Sequence, residues 1–258
     1  MVLGCAHGLG RSVALGCAQA GAEVLLADHH PEPPGVLTEI TGTGGRASFA
    51  HVDVESVPSL RSNLLELVGD SPLHGLIYFP RARLRKAMEE VAEADWDRDL
   101  DVSLRGAFFA VQTLLPALRR SAPGFVITLS SILSESVGVE GVGYHVAKAG
   151  LDQLTRYLAV HLGPHRIRVN AVQIGWMVKD EHLPRFLGPA NQSFRAKVER
   201  IHPLRMVGES VDLMNVISFL GSDASRFMTG QILRLDGGLT LQEQSHLVDS
   251  LKAEETHS

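Results

Sequence analysis

The sequence has 258 residues, 45% hydrophobic and 21% charged, with a mean hydropathy of +0.07, enough apolar material for a sizeable core in a globular chain. A formal net charge of −5 and a pI near 6.2 argue against a nucleic-acid partner, which leaves a basic footprint, and no run of about 18 apolar residues is available to span a bilayer. The two cysteines, Cys5 and Cys17, are too few for a disulfide framework and are expected as small packing residues in a reducing, cytoplasmic setting, while the N-terminus lacks the basic and apolar regions of a signal peptide.

Short apolar runs alternate with longer segments of helical period, the pattern of strands and crossover helices in a parallel sheet. Residues 1–3 read as a first strand, short against the usual five or six. Gly4 to Gly10 read as a glycine-rich turn, followed by a helix over 11–20 that ends at Gly21. Strands are expected over 23–28 (EVLLAD), 46–54 and 74–79, with a helix between the last two marked by Leu60, Leu64, Leu65, Leu67 and Val68. The basic run RARLRK at 81–86 reads as a solvated turn.

A long amphipathic helix is expected over 96–119, with Leu100, Leu104, Phe108, Val111, Leu115 and Leu118 on its apolar side. A strand over 124–130, a helix over 144–162 and a strand over 168–174 follow. Residues 176–206 are irregular and mixed in charge. A helix over 211–220 and a strand over 231–235 close the unit, leaving a polar tail over 241–258. The alternation predicts an α/β fold, a Rossmann-type doubly wound parallel sheet with helices on both faces, in one domain over 1–240. Its ligand is expected beyond the carboxyl ends of the strands, where the strand order reverses.

The turn Gly4-x-x-x-Gly8-x-Gly10 between a strand and a helix suits a pyrophosphate. Glycines let backbone approach the phosphates, and the helix N-terminus supplies amide donors and a positive dipole. A tight turn without a ligand is the plainer alternative. Asp28 ends the second strand, where a carboxylate accepts hydrogen bonds from both adenosine ribose hydroxyls and repels a 2′-phosphate. No arginine stands beside Asp28 or inside the glycine turn. Its neighbours His7, His29 and His30 belong to a residue type that is mostly neutral at pH 7. The expected cofactor is therefore NAD (NAD+/NADH) rather than NADP, against the alternative of an exposed aspartate capping a turn before Pro31. Asp53 either reaches the adenine or caps the next helix.

The stretch GYHVAKAG at 143–150 sets Tyr144 and Lys148 one helical turn apart, and Ser131 stands thirteen residues before Tyr144, just past a strand end. A buried tyrosine, a snorkelling lysine and a loop-capping serine would be the plainer account. With the glycine turn upstream, however, the three resemble the short-chain dehydrogenase/reductase family, and the likeness runs nearly end to end. GCAHGLG resembles its cofactor loop, HVDV (with Asp53 and Val54) its adenine-side pair, and WDRDLDVSLRGAFF the start of its long interface helix. ITLSS resembles its catalytic serine strand, GPHRIRVNAV the strand after the catalytic helix, and GQILRLDGG the closing strand.

The resemblance implies that Tyr144 gives or takes the proton at the substrate oxygen, that Lys148 holds the nicotinamide ribose and favours the phenolate by its charge, and that Ser131 hydrogen-bonds the carbonyl oxygen as charge develops. Gly4, His7, Gly8, Leu9, Gly10, Asp28, Asp53, Val54 and Gly175, with Tyr144 and Lys148, would line the cofactor. The implied reaction interconverts a secondary alcohol and a ketone. A homo-oligomer, a tetramer or a dimer, would form through the long helix and the Tyr144 helix. Residues 176–206 would form the substrate lid. No metal, nucleic acid or membrane partner is expected.

Four departures from the family pattern matter. Tyr78, Phe79, Pro80 and Arg81 replace its Asn-Asn-Ala-Gly, so an arginine stands for a glycine at the nicotinamide end and Pro80 lacks an N–H. Ser103 replaces the asparagine that positions a relay water behind the lysine, and is expected to serve in its place as a fourth catalytic residue. Ile174-Gly175 replaces Pro-Gly, with Lys179 where a threonine is common. Leu3 replaces a threonine before the glycine turn. These changes motivate an alternative reading, a catalytically impaired subunit of the same fold with a binding or structural role. The lid residues Trp176, Lys179, Arg185, Phe186 and Phe194 point to neither an apolar steroid nor a small polar sugar.

Overall fold

The computed structural model describes residues 1–31, 35–82 and 84–252. Its main sheet contains β1 (Val2–Leu3), β2 (Val24–Asp28), β3 (Ala47–His51), β4 (Gly75–Tyr78), β5 (Gly124–Ser131), β6 (Ile167–Ile174) and, late in the chain, β9 (Ile232–Leu235). All seven run parallel in the order β3-β2-β1-β4-β5-β6-β9. Two further strands, β7 (Met177–Val178) and β8 (Gly208–Glu209), pair apart from it. The order reverses between β1 and β4, so the crevice beyond their carboxyl ends is where a doubly wound sheet holds its ligand.

Strand alternation sends successive side chains to opposite faces. Leu76 and Tyr78 pack with α3 (Val57–Val68), α5 (Gly106–Arg120) and α6 (Val142–Leu162), through Leu60, Leu64, Leu114 and Leu151. Ile77, between them, faces α1 (Gly8–Gln19), α2 (Gly35–Gly42) and α9 (Ser210–Gly221), through Val13, Val36, Ile40, Leu213 and Ile217. Both faces are thereby covered in one domain, and each such aliphatic side chain contributes on the order of 1.5–3 kcal/mol by leaving water.

The strand β1 is only two residues long, yet its pairing extends past both ends. Ile77 N–H donates to Met1 O at 3.0 Å, Phe79 N–H to Leu3 O at 2.9 Å, and Gly4 N–H to Ala27 O at 2.8 Å. The glycine turn thus leaves the sheet already bonded to β2.

The structure corrects several expected boundaries. The first helix begins at Gly8 rather than residue 11, because the glycine turn supplies its first turn, and the third strand stops at His51 rather than residue 54. The short helix α2, with only Val36 and Ile40 buried, was not expected at all. The helix expected over 96–119 is two helices, α4 (Glu93–Leu100) and α5, joined by a π-helical segment at Asp101–Arg105. A π turn absorbs an extra residue and rotates the downstream face. The side against the sheet therefore carries Ala107, Ala110, Val111, Leu114, Ala117 and Leu118, while Leu104, Phe108 and Leu115 flank it.

Residues 176–206 are not irregular: β7, α7 (Leu183–Leu187) and α8 (Gln192–Ile201) lie there, and Val178, Phe186, Val198 and Val207 form a small core of their own. The polar tail carries α10 (Gln244–Lys252), with 253–258 outside the described residues. Among the described residues no helix is long and apolar enough to cross a membrane.

Candidate active site

A cleft of about 1120 Å3 opens at the carboxyl ends of β1 and β4, and its wall includes Gly4, His7, Gly8, Leu9, Gly10, Asp28, Asp53, Val54, Ser131, Tyr144, Lys148 and Gly175. The glycines form a cradle for geometric reasons. Gly4 and Gly8 hold left-handed backbone, at φ of 82° and 60°, where other residues are strained. A Cβ on Gly10 would lie 2.0 Å from Gly4 O, so only hydrogen fits. The first-turn amides of α1 have no partner within the helix, and His7 at the N-cap provides no side-chain cap. Phe79 and Pro80 close the floor, each within 3.1 Å of where a Gly4 Cβ would stand. The Lys179 side chain lies over the cradle, with its Cδ, Cε and Nζ 3.1 Å from a Cβ built on Gly8. An open, amide-lined turn with a cation above it fits a pyrophosphate.

Asp28 is buried at the end of β2. Its Oδ2 accepts from Ala6 N–H at 2.8 Å, Oδ1 accepts from His30 N–H at 3.3 Å, and His29 Nδ1 is 3.0 Å from Oδ1. The His7 and His30 rings meet at 3.2 Å between their Nε2 atoms. Asp28 is therefore a turn-stabilising acceptor on the cleft wall, and it is buried where the alternative reading had it exposed. Asp53 does not cap the next helix. Its carboxylate accepts from Glu55 N–H at 2.9 Å, and Ser56 is the cap of α3. Cys5 is buried, and burial pushes its thiol up to about 12, as suits a packing residue.

At the other end stand Ser131, Tyr144 and Lys148. Ser131 ends β5, and its hydroxyl accepts from Leu133 N–H at 3.2 Å. Tyr144 and Lys148 occupy the first two turns of α6, and both are buried. Lys148 Nζ donates to Leu129 O at 2.6 Å and lies 5.7 Å from the centre of the Tyr144 ring. Burial brings its ammonium down to about 7; Arg81 pushes the same way and Asp152 opposes it. The start of α6 is fixed from two sides. Gly141 N–H donates to Leu84 O at 3.0 Å, and Gly143 lets Asp99 of α4 come so close that a Cβ would meet its Oδ2 at 2.6 Å. Burial, aided by Asp95, raises the Asp99 carboxyl above the usual range.

Ser103 is placed differently from the other site residues. It sits fully buried in the π segment, outside the cleft wall, and its hydroxyl has no hydrogen-bond partner among the described residues. The basic run at 81–86 is not simply a solvated turn. Arg85 pairs with Glu140 at 2.8 Å and Lys86 with Asp95 at 2.6 Å, Arg83 is outside the described residues, and the Arg81 guanidinium carbon stands 5.9 Å from the Tyr144 ring centre. Asp99 and the close approach of Lys179 to Gly8 were missed by sequence reasoning, since each depends on a partner distant in the chain.

Within residues 176–206, Trp176 packs against Phe186 and Phe194 with ring centres 5.7 and 5.9 Å apart. Gly175 meets Asp236 so closely that a Cβ would lie 2.6 Å from the Asp236 Cβ.

A family model described as enoyl-(acyl carrier protein) reductase matches residues 4–240. The chain is similar to a Rhizobium meliloti protein named "Probable galactose dehydrogenase GalD", 34% identical over 242 residues, with 93% of each chain covered. Among solved structures it is similar to one from Agrobacterium tumefaciens with bound NADP, at 30% identity and a TM-score of 0.79 over 93% of this chain and 95% of that one. It is similar as well to a 3-oxoacyl-[acyl-carrier protein] reductase from Brucella melitensis with bound NAD, at 25% identity and a TM-score of 0.79 over 92% and 88%.

Proposed function

The chain belongs to the short-chain dehydrogenase/reductase family, and from that premise we propose an oxidoreductase that interconverts a secondary alcohol and a ketone, with NAD preferred over NADP. The observation that carries the reading is the convergence of Ser131, Tyr144 and Lys148 on the cleft that also holds the glycine cradle. A bound nicotinamide cofactor supplies the hydride acceptor or donor. Gly4, Gly8 and Gly10 with the α1 amides hold its pyrophosphate, and Lys179 adds a cation there. Asp28 takes the adenosine ribose hydroxyls, while Asp53 and Val54 stand on the adenine side.

Tyr144 gives or takes the proton at the substrate oxygen, and Ser131 donates a hydrogen bond to that oxygen, which stabilises negative charge as it develops. Lys148 as a cation favours the phenolate of Tyr144 and holds the ribose of the nicotinamide. Ser103 lies too deep to touch a substrate, and its unpartnered hydroxyl is suited to hold a buried water behind Lys148. The domain extends over 1–240, with 176–206 as the lid over the substrate. Exposed Val146, Tyr157 and Val160 on α6 support assembly into a homo-oligomer.

Calorimetric titration with NADH and NADPH tests the cofactor, and binding of NADH in preference to NADPH is expected. Turnover of secondary alcohols and ketones tests the chemistry: Tyr144→Phe is expected to lower it by roughly 10²–10⁴-fold, and full turnover in that variant would sink the assignment. Failure to bind either cofactor would favour the impaired subunit instead.

A further inference from the structure

We propose that Arg81 forms a carboxylate-binding site at the substrate end of the cleft, so that the compound turned over is an organic hydroxy or oxo acid. The proposal rests on the function above and adds the substrate class to it. Arg81 follows β4 directly, lines the cleft, and stands over the Tyr144 ring at 5.9 Å, while Lys148 Nζ stands 5.7 Å from the same ring centre. Two cations thus flank the phenol expected to react.

Among the described residues, Arg85, Lys86 and Arg98 already have carboxylate partners. Arg85 bonds Glu140 at 3.1 and 2.8 Å, Lys86 bonds Asp95, and Arg98 on the cleft wall bonds Glu55 at 3.2 Å. Arg81 makes no ion pair among the described residues. Its mutual repulsion with Lys148 is one of the causes that lower the lysine. A guanidinium presents a planar fork of donors that matches a carboxylate. An anion placed there would neutralise Arg81 and remove that repulsion, so that binding of the acid also favours the charged form of Lys148. The cofactor pyrophosphate has its own cradle, where Lys179 lies over Gly8, which leaves Arg81 to the substrate. Hydrogen bonding of the Gly141 amide to Leu84 O ties Leu84, three residues after Arg81, to the N-cap of the helix that carries Tyr144.

The test is equilibrium binding by calorimetry, on the intact protein alone and, for the two oxo acids, also with excess NAD+, a combination that cannot react. The probes are 2-oxopentanoate, 4-oxopentanoate and 3-hydroxybutanoate, each against its methyl ester. Wild-type protein is expected to bind at least one acid about tenfold tighter than its ester, the size of one charge-assisted contact, and added salt should weaken the acid alone. Arg81→Gly and Arg81→Gln should bring the acid down to the level of the ester with the ester unchanged, and Arg81→Lys should keep part of the preference.

Equal affinity for acid and ester, no binding of any acid by wild-type protein, or a preference that survives in Arg81→Gly would each overturn the proposal. So would a loss of NADH affinity in Arg81→Gly with the acid preference intact, which would assign the guanidinium to the cofactor. Because binding is read without turnover, a protein that prefers acids but oxidises nothing would sink the proposed function and leave this site standing.

Discussion

The Tyr78 hydroxyl donates a hydrogen bond to the Val102 carbonyl at 2.5 Å, tying the end of β4 to the π segment that carries Ser103. Tyr78 is the last residue of β4. It is fully buried, and burial raises its phenol above the usual range, so it stays a neutral donor. Gly106, where the π segment gives way to α5, leaves room for the same hydroxyl, since a Cβ there would lie 2.6 Å from it. Tyr78→Phe would remove this buried hydrogen bond, at a cost of about 0.5–1.5 kcal/mol. Urea unfolding measures this directly, and an unchanged midpoint would show that the bond does not hold the segment.

The cradle makes a second prediction. Alanine has the higher helix propensity, by roughly 1 kcal/mol, so Gly10→Ala would stabilise α1 if the helix alone mattered. With Gly4 O only 2.0 Å from the added Cβ, the turn must open instead. NADH affinity should fall at least about tenfold, with net loss of stability. A variant that binds NADH normally would mean the turn does not hold the pyrophosphate.

Asp28 tests cofactor choice. Asp28→Asn keeps the shape and the acceptor for the Ala6 amide but removes the charge that repels a 2′-phosphate. The ratio of NADPH to NADH affinity should rise about tenfold or more. An unmoved ratio would assign Asp28 to the turn alone.

Lys148 gives stability a pH dependence of definite sign. Its folded value of about 7 lies below the ordinary 10.5, so between these limits the unfolded chain holds a proton that the folded chain lacks. Stability therefore rises with pH across that window, by up to roughly 1.4 kcal/mol per unit. The burial penalty is fully present below about 7 and is gone above about 10.5. Lys148→Met removes the titrating group. Its stability advantage over wild type should be largest near pH 6 and shrink toward pH 10; urea midpoints across that range would show it, and a constant difference would contradict it.

The local pattern carried much of this molecule. The spacing of Gly4, Gly8 and Gly10 after a strand marks the cradle because backbone sterics act over a few residues, and the four-residue step from Tyr144 to Lys148 puts both on one helix face by helical period alone. The apolar runs at 23–28, 124–130 and 168–174 point to a buried parallel sheet because both of its faces must leave water. Boundaries were less legible wherever two elements share a turn. The π segment at 101–105 leaves no period of its own, and its one-residue shift turns Leu104 and Phe108 to the flank of the buried face.

Other features depend on residues distant in the chain. Lys179 lies over Gly8, Arg81 over Tyr144 and Asp99 against Gly143, and no periodicity encodes such pairs, because each arises only when two elements pack. The same packing buries Lys148 and lowers its ammonium, separates Ser103 from the cleft, and leaves Arg81 without a carboxylate among the described residues. Chain-local sterics and periodicity thus account for the elements and the reacting residue types. Packing sets the charge those residues carry and the partners left open to a ligand, since burial and Coulomb interaction act through space rather than along the chain.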